Sequence, residues 1–366
     1  MKKVISAGHI CLDITPVFPA GKRYDSLPAL LVPGRLIQMD AADVHTGGSV
    51  ANTGLALKLL GCDVTLMGKT GDDSFGMMIR NITAQYGAGG LLTDPDSSTS
   101  YSVVLAVPGQ DRIFLHSPGA NDTFTGADIP EEALEDAVLF HFGYPPLMKR
   151  MWENGGAELT AMFRRMKEKG IATSLDLAAV DPASPAGQAD WEKILSGVLP
   201  YVDFFVPSFG ELCWMLDRER YDRLAAGSGD MTDKLDMKTE AVPLAERALS
   251  MGCRAAVIKC GTSGMLLRTA DRTGMEGVGS RLELDTKAWS SQSLTQACFR
   301  ADIVRSGTGA GDTSIAAFLA AVLRGRKPED CLKLACAEGA CCVTAYDALS
   351  GLKPLEELEE RIRKGW

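Results

Sequence analysis

Three alternating glycines, Gly307, Gly309 and Gly311, lead into an acid, Asp312, and then into the alanine-rich run "TSIAAFLAAVL". A plain turn needs one glycine. Ile315, Phe318, Leu319, Val322 and Leu323 recur at i, i+3, i+4, i+7 and i+8, which predicts an amphipathic helix with Asp312 as its N-cap and Gly325 as its stop. A helix start presents unpaired N–H groups and a partial positive charge, and glycines let a ligand come close to the backbone. The arrangement suits an anion, above all phosphate. A capped helix after a flexible loop has the same local signature, so the decision rests on the rest of the chain.

The elements that must position these residues are legible as alternation. "KKVISAGHI" reads as a strand, "SVANTGLALKLLG" as a helix, "DVTLMG" as a strand and "DDSFGMMIRNITAQYG" as a helix. "TSYSVVLAVPGQDRIFLHSPGAN" predicts a hairpin turning at Pro-Gly-Gln-Asp. "AVLFHFG" is a strand, Leu159, Met162, Phe163 and Met166 mark a helix, and "IATSLDLA", "YVDFFVPSFGELCWML" and "RAAVIKCG" continue the pattern. Such alternation with apolar strands indicates a mainly parallel sheet between helical layers, whose ligands bind beyond the C-terminal strand ends. Residues 15–45, cut by prolines and glycines, are expected to supply a small separate sheet. Residues 217–242 and much of 270–300 read as polar surface insertions, with Trp289 the one large apolar side chain of the latter.

Composition bounds the function. The 366 residues carry a net charge of −9, with 46% hydrophobic and 23% charged residues, an ordinary globular balance that disfavours nucleic acid or an anionic membrane as the main partner. No apolar run reaches 18 residues and the N-terminus enters a strand pattern at once, so a cytoplasmic protein is expected. Ten cysteines without a C-x-x-C spacing, beside four histidines, give no zinc pattern and read as reduced core thiols.

Familiar motifs fail narrowly. "GKT" at 68–70 lacks the glycine five residues earlier that a Walker A loop requires, since Asp63 is there. G-x-G-x-x-G begun at Gly307 ends on Asp312, and G-x-S-x-G does not occur.

Six separated stretches together resemble the ribokinase-like (PfkB) family of carbohydrate and nucleoside kinases. "TGAGD" at 308–312 resembles its C-terminal signature, and "GGSVANTGLALKLLG" at 47–61, followed by "DDSFG", its N-terminal one. "GHICLD" at 8–13 is similar to its first strand ending in a substrate-binding acid. "PSFGEL" at 207–212 resembles its Asn-x-x-Glu motif, "KCGTSG" its nucleotide loop, and "SPGAND" also fits. The resemblance implies a three-layer α/β/α sandwich with a mainly parallel central sheet and a small β-sheet lid. It makes residues 1–366 one kinase domain, with lid segments at about 15–45 and 98–118.

It also implies transfer of the ATP γ-phosphoryl group, with Mg²⁺, to a hydroxyl of a small sugar or sugar-like substrate. Asp312 would be the base, and the amides of Gly309, Ala310 and Gly311 the anion hole. Asp13, Gly47, Gly48 and Asn52 would bind substrate. Ser208, Glu211, Lys259, Gly261 and Gly264 would serve the nucleotide, with Glu211 reaching magnesium through water. Asp176 is expected toward the cleft, with His9 and His45 flanking the substrate. The lid sheet would pair two copies into a homodimer.

The chain departs from the family pattern at Ser208, where asparagine is usual, and at Ser306, where an acid of a monovalent-cation site is common. Ser49 stands where ribokinase-type sequences often carry lysine. Three rivals remain open: a nucleoside kinase with Tyr101 and Phe114 walling a base, a non-catalytic binding or regulatory protein, and a nucleotide-dependent oxidoreductase.

Overall fold

The computed structural model describes residues 2–366 except 20, 22, 23, 25, 26, 109–111, 227–229 and 234. The expected hairpin turn therefore lies mostly outside the described residues. An eight-stranded sheet forms the centre, in the spatial order Ser293–Gln296, Met265–Thr269, Ala255–Lys259, Phe204–Phe205, Ala172–Leu175, Ala137–Gly143, Lys3–Gly8 and Asp63–Met67. Met265–Thr269 runs antiparallel to both neighbours and the remaining pairs are parallel.

The strands are apolar on both sides because both faces are covered. Val4, Leu139, Phe204 and Val257 enter one core, beneath helices Ser49–Leu59, Ala310–Leu323 and Pro328–Cys342. Their sequence neighbours Ile5, Phe140, Phe205 and Ile258 enter the other, beneath Ala157–Glu168, Trp191–Val198 and Val242–Ser250. This period of two is what a doubly covered strand requires.

A second sheet of four strands, in the order Asp43–Gly47, Cys11–Thr15, Tyr101–Leu105 and Ile113–Ser117, stands apart from the first. Its register aligns His45, Asp13, Ser102 and His116 in one row, and Val44, Ile14, Val103 and Leu115 in the next. Adjacent rows project to opposite faces.

Several expectations shift. The first predicted strand is two: the chain leaves the large sheet at Gly8, whose φ of 125° only glycine adopts readily, and enters the small one at Cys11. Asp13 is thus the middle residue of a small-sheet strand. Residues 16–42 contribute no strand among the described residues, only helix Leu27–Leu30.

Helix Ala310–Leu323 starts earlier than predicted, with Gly309 as N-cap at φ 74° and Asp312 as its third residue. It is buried from 312 to 323, so it is apolar on all sides. The polar 270–300 segment is pinned by Trp289, which is fully buried and packs edge-on against Phe204 and Phe318 at 5.8 and 6.0 Å. Each such pair adds about 0.5–1.5 kcal/mol beyond area burial. Cys62 is half-buried, Cys298 exposed and the other cysteines buried; all are free thiols. Among the described residues, no helix is long and apolar enough to cross a membrane.

Candidate active site

The C-terminal ends of the parallel strands open into a cleft of about 970 Å³ that the small sheet faces. Asp312 lies at its floor, 4% exposed. Asn52 Nδ2 donates to Asp312 Oδ2 at 3.0 Å and Thr53 Oγ1 to Oδ1 at 3.3 Å. The Tyr144 hydroxyl reaches both oxygens at 2.8 Å. Burial pushes the Asp312 carboxyl above the usual carboxylate range, while Lys259 and these three donors oppose the shift. A proton acceptor gains from such a rise, because a base works best when its pKa approaches the ambient pH.

The glycines before it hold the loop close. A methyl on Gly309 would fall 2.2 Å from Ala348 Cβ. Gly307, Thr308 and Gly309 line the cleft. The Ala310 amide makes a long bond of 3.4 Å to Gly307 O, and the Gly311 amide has no partner among the described residues. Of the three expected anion-hole residues, Gly309 lines the cleft and Ala310 and Gly311 do not; the Gly309 and Gly311 amides have no hydrogen-bond partner among the described residues, and Ala310's is weakly engaged.

The expected substrate residues converge. Asp13, Gly48 and Asn52 line the cleft, and a Cβ on Gly47 would lie 2.2 Å from Asp13 Oδ2. Burial raises the Asp13 carboxyl, with bonds from Cys11 and Ser102 opposing. Gly48, at φ 84°, packs its α-carbon against His9, which also lines the cleft. His9 Nε2 and His116 Nε2 share a hydrogen bond of 3.3 Å, and burial lowers both imidazoles below their ordinary value. His45 shares the row of Asp13 but sits at the sheet edge, exposed and tied to Asp43 at 2.6 Å. Ser49 turns away from the cleft, to His141 at 3.2 Å.

The expected nucleotide residues divide. Glu211 lines the cleft and also closes a capping box: its Oε2 accepts from Ser208 N at 2.8 Å while Ser208 Oγ accepts from Glu211 N at 3.3 Å. Its other oxygen has no hydrogen-bond partner among the described residues. Lys259 and Asp176 form a buried ion pair of 2.8 Å beneath the helix start, where a Cβ added to Gly311 would fall 3.6 Å from the ammonium. Burial works against the ammonium, yet Asp176, Glu211 and Asp312 hold it above its ordinary value. Burial, with Glu211 and Asp312 adding, pushes Asp176 up to about 8. Gly261 and Gly264 are the turn of the hairpin joining Ala255–Lys259 to Met265–Thr269 and lie outside the cleft lining.

Sequence reasoning missed Tyr144, Thr53 and His116. Thr53 follows Asn52 directly, and His116 follows the expected aromatic Phe114 by two, so each carried a positional signal. Tyr144 carried only the position after a strand's terminal glycine. Across the cleft, Arg112 Nη1 reaches Ser306 Oγ at 3.4 Å, and Phe114 joins the lining while Tyr101 packs on Phe75 instead.

An open α/β sheet with a site at its strand ends and a small sheet over it defines the ribokinase fold. The E. coli structure "putative Ribokinase II in complex with ATP and Mg+2" is similar over the whole of both chains, with a TM-score of 0.69 and 18% identity. The profile of the pfkB family carbohydrate kinases matches residues 1–354, and the chain belongs to that family; it is a carbohydrate kinase. Fructokinase-2 of Oryza sativa subsp. japonica is 26% identical over 99% of this chain and 94% of its own length. An uncharacterized sugar kinase of Archaeoglobus fulgidus is 26% identical over 81% of this chain and 98% of its own.

Proposed function

We propose that the protein transfers the γ-phosphoryl group of magnesium-bound ATP to a hydroxyl of a small neutral sugar, with Asp312 taking the hydroxyl proton. The observation that carries this reading is the buried Asp312 carboxylate at the mouth of a glycine-led helix, in one cleft with Asp13. Asp13, Asp122, Asp181 and Glu211 face that cleft against Arg112 and Lys149, a balance that favours a polyol over a sugar acid. A ketohexose, the class in the rice relative's name, fits this preference. The Gly309 and Gly311 amides, unpartnered among the described residues, and the nearby Lys259 ammonium would suit the charge that spreads over the moving phosphoryl.

Magnesium would be held through water by the unengaged Glu211 oxygen; among the described residues no three acidic, histidine or cysteine side chains gather to ligate it directly. When bound, the ion neutralises phosphate charge. The ten free thiols fit a reducing cytoplasm. The second row of the small sheet would pair two copies.

A panel of ketohexoses, pentoses, sugar acids and nucleosides with ATP and Mg²⁺, following ADP, tests the reading. Asp312→Asn is expected to lower kcat about a thousandfold with ATP still bound. Near-wild-type turnover in that variant removes Asp312 as base, and a preference for nucleosides moves the substrate to that class.

A further inference from the structure

Asp312 already has more donors than a base awaiting an alcohol requires. Its two oxygens offer about four acceptor positions. Asn52 and Thr53 each take one, and the single Tyr144 proton is shared between both oxygens, with the phenol oxygen 2.8 Å from each. A sugar hydroxyl must donate to one of these oxygens before its proton is taken, and the phenol oxygen, 2.8 Å from both, stands in that approach. Asn52 and Thr53 belong to the first turns of helix Ser49–Leu59, buried throughout 49–57. Tyr144 stands instead on the loop after strand Ala137–Gly143, lines the cleft, and holds φ at 67°. A bulky residue in that left-handed region is strained by about 1–3 kcal/mol, strain that concentrates at functional sites.

We propose that the Tyr144 phenol occupies the acceptor-hydroxyl subsite of the empty enzyme, is displaced by the sugar's alcohol, and until then keeps Asp312 from activating water. This rests on Asp312 being the base. The blocked side reaction is hydrolysis: a water oxygen bonds to the γ-phosphorus, the bond to the β,γ-bridging oxygen breaks, and ADP leaves with that electron pair. The water's proton would pass to Asp312, and the phenol lying 2.8 Å from both carboxylate oxygens keeps the water from taking that place. The phenol is suited to the task because it stays protonated: burial, then the charges of Asp312 and Asp176, hold its ionisation well above the ordinary value. Tyr144 is a positioning residue that acts through the base.

The test measures phosphate release from ATP and Mg²⁺ without sugar, and ADP formation with sugar, for wild type, Tyr144→Phe, Tyr144→Leu and Asp312→Asn. Thermal melts identify the folded variants. In either folded Tyr144 variant the ratio of hydrolysis to sugar phosphorylation is expected to rise roughly tenfold or more. The acid limb of kcat/KM should move to higher pH, because a donor favouring the carboxylate is lost. Substantial sugar phosphorylation by Asp312→Asn would overturn the base reading, and this proposal with it. An inactive Asp312→Asn beside Tyr144 variants with the wild-type ratio and an unmoved acid limb overturns the Tyr144 proposal alone.

Discussion

Gly47 pairs with Cys11 in the small sheet, diagonal to Asp13, and a methyl on Gly47 would sit 2.2 Å from the carboxylate. That methyl would push Asp13 from the place where two sugar hydroxyls would meet it. Overpacking of this kind costs about 1–3 kcal/mol, roughly five- to 150-fold in affinity. Gly47→Ala is therefore expected to raise the sugar KM in that range while the ATP KM stays within about threefold; an unchanged sugar KM would detach Asp13 from the substrate. Asp312, Asp13 and the glycines were legible because backbone geometry or charge at a fixed place admits few residue types. Tyr144 was not, since its partner is 168 residues away and a tyrosine after a strand has many uses. Lys259 was legible as part of a motif, but its buried pairing with Asp176, 83 residues away, was not.

Helices Ala310–Leu323 and Pro328–Cys342 cross where Gly339 meets Ser314, at 2.5 Å from a would-be Cβ to Ser314 Oγ. The second helix also carries Cys342, whose thiol donates to Thr308 O at 3.4 Å, so it steadies the glycine loop from behind. One residue in that helix is costly: Glu338 is fully buried, with Oε1 accepting from Lys353 N at 2.9 Å and Oε2 without a partner. Burial, with Glu357 adding and Lys353 opposing, pushes its carboxyl from 4.5 up to about 8. Between those values the folded chain keeps a proton that the unfolded chain has released, so stability falls as pH rises through this window and levels off above it. At about 1.4 kcal/mol per pKa unit the loss reaches a few kcal/mol. Glu338→Gln carries no such proton, and its melting temperature should gain on wild type by a few degrees from pH 5 to pH 8.5. Parallel melting curves would show the carboxyl already ionised and accommodated. The helices themselves were legible from periodicity. The start of Ala310–Leu323 was displaced, because a left-handed glycine can begin a helix without a side-chain cap, and the polar 270–300 segment is anchored by its one buried tryptophan.

At the scale of the molecule, alternating strands and helices made the covered sheet readable. Its strand order was not, because crossovers rather than local sequence decide which parallel strands become neighbours. The small sheet was partly legible: the hairpin appeared as a unit, but its union with Cys11–Thr15 and Asp43–Gly47 depends on pairings far apart in the chain. That union sorts chemistry by face. The row of Asp13 and His116 looks into the cleft, and the next row, Val44, Ile14, Val103 and Leu115, looks away from it. Val44 is 38% and Leu115 55% exposed, one on each edge strand. Ile14 within the row already packs on the core, but the row's two exposed ends are poorly matched to water, and a two-fold axis across this face would bury them against a second copy without closing the cleft. Light scattering should then give twice the 39.1 kDa chain mass for wild type at micromolar concentration. Leu115→Lys should give the single-chain mass, since a charge within an apolar interface cannot be buried unpaired. A wild-type protein of single-chain mass, or a Leu115→Lys variant that still pairs, would place the contact elsewhere or remove it.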